Sequence, residues 1–177
     1  MIGPAAFPRR VFLQRSLQLT GAALLPIAGA AGCSRTEPAA DLETLSASEY
    51  AIADAYATTL IPDGGTFEAG ATNLELARRL DAYSATERPE VLDGLEAALW
   101  AIELAPLLVI QTPSRFTSLD ETRRGEYLRA LPHSFAPVRL AHLAMRRAFL
   151  FLFYNMDETW EPLGYDGPWV LSNEMQP

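Results

Sequence analysis

Phe135-Ala136-Pro137-Val138-Arg139-Leu140-Ala141-His142-Leu143-Ala144-Met145-Arg146-Arg147-Ala148-Phe149-Leu150-Phe151-Leu152-Phe153-Tyr154 is the stretch that decides the fold. It reads as one helix, the longest in the chain. Its last seven residues, Ala148 to Tyr154, are apolar all round, the pattern of a helix buried on every side. Seven residues cannot span a bilayer, which takes roughly 20.

Upstream, the helical signals repeat. Ser46-Ala47-Ser48-Glu49 fits a capping box, in which the Ser46 oxygen and the Glu49 carboxylate satisfy orphan amides. Behind it Tyr50, Ala53, Ala57 and Leu60/Ile61 recur at helical spacing, and Pro62-Asp63-Gly64-Gly65 ends this first helix. A second helix runs from Asn73 to about Tyr83, with Leu74, Ala77 and Leu80 as apolar positions. Pro89 suits the first turn of a third, which reaches about Leu104 and carries the stripe Val91, Leu92, Leu95, Ala98, Leu99 and Ile102. Ala105 to Ile110 either continues it past Pro106 or opens a loop. Ser118-Leu119-Asp120-Glu121 reads as a second capping box, before a short helix to Leu131 that Pro132-His133-Ser134 breaks. No run reads as a strand and there is no internal repeat. The tail from Asn155 to Pro177 has no periodicity. The expected class is all-α: a small domain of about five helices with an extended, aromatic-rich C-terminal tail.

The N-terminus has a different character. Arg9-Arg10-Val11-Phe12-Leu13 precedes a mildly apolar run from Leu17 to Gly32. An arginine pair, a spacer, Phe-Leu and an uncharged segment ending in small residues have the layout of a twin-arginine export signal, a route that carries folded proteins. Two cleavage readings compete. Ala28-Gly29-Ala30 is an A-x-A site, whereas Ala30-Ala31-Gly32-Cys33 resembles a lipobox whose Cys33 is diacylated. Cys33 is the only cysteine and so forms no internal disulfide; lipidation would explain an unpaired thiol in an exported protein. The expected organisation is a signal over 1–33, a linker over 34–45 and a helical domain over 46–177. The expected localisation is periplasmic or cell-envelope, with a lipid anchor if Cys33 is acylated.

Without its signal the chain keeps about 140 residues, enough for one domain with a core. The full-length net charge is -8, and Arg9, Arg10 and Arg15 all leave with the signal. So acidic a chain is unsuited to nucleic acid, which needs a basic face. Every basic residue other than histidine is arginine.

Catalytic signatures are missing. His133 and His142 stand nine residues apart across a helix start, which is no metal-ligand spacing. There is no Gly-x-Ser-x-Gly elbow, no P-loop, no dinucleotide fingerprint and no Cys-x-x-Cys-His for haem. The expectation is a non-catalytic chain with no cofactor or metal of its own. Partner docking is assigned instead to Phe149 and Phe153 on the last helix, and to Trp160, Tyr165 and Trp169 in a tail where Gly and Pro fix a non-regular path. The competing reading is that these rings close the domain's own core.

Leu45-Ser46-Ala47-Ser48-Glu49-Tyr50 running into Thr59-Leu60-Ile61-Pro62-Asp63, the twin-arginine signal, and the tail Gly164-Tyr165-Asp166-Gly167-Pro168-Trp169 resemble the gluconate 2-dehydrogenase subunit 3 family. The resemblance implies a small subunit of a membrane-associated, flavin-dependent sugar or alcohol dehydrogenase. It implies a large GMC-type flavoprotein partner that holds FAD and lacks its own signal, and often a cytochrome c subunit. The small subunit would present the complex to the twin-arginine translocase as an export escort and help the flavoprotein mature. The alternative is a stand-alone exported lipoprotein that binds a small ligand or an envelope protein.

Overall fold

The computed structural model describes residues 41–65 and 67–167. The chain divides into two units, Met1–Cys33 and Ser34–Pro177, and every described residue belongs to the second. Arg9, Arg10, Phe12 and Leu13 of the expected signal, Cys33 and the tail residue Trp169 lie outside the described residues.

The described residues are all-α. Seven helices follow one another: α1 Ala47–Leu60, α2 Leu76–Ser84, α3 Pro89–Leu104, α4 Pro106–Ile110, α5 Glu121–Ala130, α6 Ala136–Tyr154 and α7 Trp160–Leu163. Three 3-10 turns, Phe116–Ser118, Leu131–His133 and Asp157–Thr159, join or precede them. The five longer helices are those expected from sequence, and α4 settles the open reading at Pro106, which starts a new short helix. Two starts differ. Glu75 takes a left-handed conformation (φ 48°), so the second helix begins at Leu76, after a turn, and not at Asn73. The cap of α5 is Asp120, whose carboxylate accepts from the Arg123 amide at 2.9 Å; Ser118 belongs to the preceding 3-10 turn. The box at Ser46 forms as expected, with Ser46 N donating to Glu49 and Glu49 N to Ser46 Oγ.

The helix enclosed on most sides is α1. Ile52, Ala53, Ala55, Tyr56 and Ala57 are all buried. Helices α2, α3 and α5 and the Phe116 turn pack around it, and α6 reaches it through side chains. Its alanines let these neighbours approach closely, and Tyr56 fills the centre. The Tyr56 ring lies 5.8 Å from Phe149 and 6.4 Å from Phe116, which in turn sits 5.5 Å from Tyr127. Both phenols are anchored: Tyr127 donates to the Ile102 carbonyl at 2.8 Å, and burial pushes the pKa of each tyrosine well up. Helix α6 packs chiefly along α3 and also against α2.

Two polar devices hold the front of the body. Asp81, on α2, is buried and accepts backbone amides from Glu43 (2.8 Å), Thr44 (2.9 Å) and Leu45 (2.7 Å). Burial opposes its ionisation, but the three amides outweigh that and hold its carboxyl below the usual range. The end of the expected linker is thereby fixed to the body, with Leu45 in the core. In the loop after α1, Asp63 accepts from the Gly70 amide at 2.8 Å, and a Cβ on Gly70 would come within 2.6 Å of the Asp63 nitrogen and the Pro62 carbonyl carbon. Only glycine fits that close approach of backbone to backbone.

The tail is not extended where it is described. Asp157–Leu163 winds into a 3-10 turn and α7, and Thr159 Oγ1 donates to the Met156 and Phe153 carbonyls.

Candidate functional site: an apolar groove and a polar cleft

Helix α6 carries two apolar stripes at helical spacing. One, formed by Val138, Ala141, Met145, Phe149 and Phe153, is buried in the core. The other is Leu140, Ala144, Ala148 and Phe151, of which the last three border a groove of about 330 Å³. Leu80, Tyr83 and Ser84 of α2, with Val91, Gly94, Leu95 and Ala98 of α3, line it from the other side, and Glu87 between those two helices is its one charged lining residue. Its walls are almost wholly apolar. Ser84 Oγ is spent on the Leu80 carbonyl at 2.7 Å. Gly94 is exposed beside it, and a Cβ there would meet nothing within 4 Å. Tyr83 (47% exposed), Val91 (42%) and Phe151 (55%) stand at its rim, with the Tyr83 and Phe151 rings edge to face at 6.0 Å. A shallower hollow continues it along α3 and α6, lined by Ala97, Ala101, Pro137 and the exposed Leu140 and sharing Gly94, Ala98 and Ala144 with it.

The residues assigned to docking from sequence do not form one surface. Phe149 and Phe153 are core residues, 0% and 2% exposed, so the docking assignment fails for both. Phe149 stacks on Tyr56, and Phe153 meets Phe67 edge to face at 5.0 Å. Trp160 folds back over the end of α6: its Nε1 donates to the Tyr154 carbonyl at 3.1 Å, and its ring meets Tyr165 at 5.3 Å. Gly167, at φ +101°, packs against that ring, where a Cβ would stand 3.3 Å from Cζ3. Tyr165 keeps 43% of its surface exposed. The end of α6 is also not buried on every side, because Phe151 and Tyr154 are exposed. An apolar run that continues around a helix marks a core face plus an uncovered one here, and residue type alone does not say which ring belongs to which.

The groove residues Tyr83, Val91 and Phe151 were missed as site residues. The 140-144-148-151 spacing was the available signal. The polar cleft was missed as well. It lies between α1, α5 and α6, measures about 510 Å³, and is lined by Thr59, Leu60, Gly125, Leu128, Arg129, Pro132, His142 and Arg146. His142 is buried there with Nδ1 2.8 Å from Tyr56 Oη, and burial, then the nearby Arg146 charge, lowers its pKa. Close by, Arg124 lies over the Phe116 ring and donates to the Thr117 carbonyl at 2.7 Å, while Asp54 is pushed up by burial against the pull of Arg124. Among the described residues no group of three His, Cys, Asp or Glu is placed to hold a metal ion, and no helix is long and apolar enough to cross a membrane.

The fold and groove define a small helical body with an open apolar face. No family model, no curated protein and no solved structure matches the chain.

Proposed function

We propose that the chain is a non-catalytic small subunit of a membrane-associated, FAD-dependent sugar or alcohol dehydrogenase. It supplies the twin-arginine signal and grips the flavoprotein while the pair is exported. The observation that carries this reading is the open groove of α2, α3 and α6, with Tyr83, Val91 and Phe151 half out of the protein. Three large apolar side chains at the rim of an apolar groove are poorly placed facing water. Completing the burial of each would contribute about 1 kcal/mol, and aromatic residues in pockets are the usual anchors of an interface. The sequence resemblance supports the choice of partner, and export in the folded state suits a partner whose flavin is inserted in the cytoplasm. The flavin belongs to that partner, and no residue of this chain is assigned to it. A cytochrome c subunit often completes such complexes in the family that the sequence resembles.

The test is affinity capture of the tagged full chain from its own cells, followed by flavin absorbance of the captured complex. Wild type is expected to carry a flavoprotein. Phe151→Asp, on an exposed residue, is expected to reduce co-purified flavin tenfold or more, since the loss of about 1.4 kcal/mol already does so. Capture of no flavoprotein by the wild-type chain, or capture indifferent to Phe151→Asp, defeats the proposal.

A further inference from the structure

The polar cleft has no part in that reading, yet two arginines and a histidine from two helices line it together. Arg129 comes from α5, and His142 and Arg146 come from one face of α6, four residues apart. No carboxylate lines the cleft. Neither guanidinium makes an ion pair among the described residues, and Arg129 uses only its Nε, on the Gly125 carbonyl at 3.0 Å. In a chain of net charge -8, two unneutralised guanidiniums in one hollow call for a counter-ion.

His142 adds the specific element. Its residue surface is 6% exposed. Tyr56 Oη lies 2.8 Å from Nδ1 and donates to the His142 carbonyl at 3.2 Å. Assigning the hydroxyl proton to that carbonyl puts a proton on Nδ1, which then donates to Oη. Nε2 is then a bare acceptor. It has no hydrogen-bond partner among the described residues, and the residue lines the cleft.

We propose that this cleft binds a protonated tetrahedral oxyanion, inorganic phosphate or a phosphomonoester. The guanidinium forks of Arg129 and Arg146 take the ionised oxygens, which is the geometry that arginine suits best. The remaining P–OH donates to His142 Nε2. Sulfate and acetate offer charge but no such proton, so they complement the arginines and leave the imidazole unmatched.

Calorimetric titration of the full chain at about pH 6, where a phosphomonoester keeps part of its second proton, tests this. Inorganic phosphate, glycerol phosphate, sulfate and acetate are compared. Saturable binding of one phosphate-type ligand, tighter than sulfate and acetate, is expected. Preference for inorganic phosphate assigns the free ion, and preference for glycerol phosphate assigns an ester. Arg129→Gln and Arg146→Gln, both exposed residues, are each expected to weaken binding about tenfold or more, the loss of one charge-assisted contact. Circular dichroism checks that both variants fold. The proposal is overturned if neither phosphate ligand saturates, if sulfate binds as tightly, or if both folded variants bind like wild type.

Discussion

Replacing Asp81 with asparagine isolates the clasp between residues 43–45 and α2. The carboxylate accepts three amides, at 2.7 to 2.9 Å, on a side chain that is 2% exposed. In Asp81→Asn the remaining carbonyl oxygen can still take the Thr44 and Leu45 amides, but those bonds lose their charge assistance, about half their strength. The new NH2 group meets the Glu43 amide donor to donor, and a buried unsatisfied donor costs about 1–3 kcal/mol. Together the expected loss is about 2–4 kcal/mol at neutral pH. Urea unfolding followed by far-UV circular dichroism measures it. The pH dependence provides a second readout. Because the folded carboxyl is held below its usual value, its contribution is fully present above the unfolded pKa of about 3.9 and is lost as pH falls through that value towards the folded one. Asparagine has no such ionisation, so the gap between wild type and variant should narrow from about pH 5 downward. A gap below about 1 kcal/mol at neutral pH, or one that stays constant into acid, refutes the assignment.

Phe149→Ala should cost about 3–5 kcal/mol by opening a cavity beside Tyr56, whereas Phe151→Ala, two residues on, should cost less than about 1 kcal/mol; equal losses in chemical denaturation would contradict the core and groove assignments. The His142 imidazole should titrate below 6.5 by NMR. Its folded pKa is depressed, so the stability tied to it is full above 6.5 and declines as pH falls towards the folded value; a midpoint at or above 6.5 would contradict the burial argument.

Helix existence was legible because caps and breakers are local. Ser46 and Glu49 close their box within four residues, and Pro89 sits in the first turn of its helix as expected. Burial was less legible. In α1, Ile52 and Tyr56 lie among Ala51, Ala53, Ala55 and Ala57, so the helix shows little apolar contrast although it is the most enclosed. In α6 the contrast is lost for the opposite reason, since both stripes are greasy and only the fold decides that Phe149 turns inward and Phe151 outward. The oxyanion cleft left no sequence trace. Arg129, His142 and Arg146 come from two helices, and Tyr56, which orients the imidazole, lies 86 residues before His142.

That separation shapes how the body can be assembled. Tyr56 belongs to the first described helix, and its partners His142 and Phe149 belong to the last long one. During synthesis the central phenol can meet these two partners only after α6 has followed it out of the ribosome. A chain cut short before Phe149 leaves the Tyr56 ring without the partner that stacks on it in the closed interior.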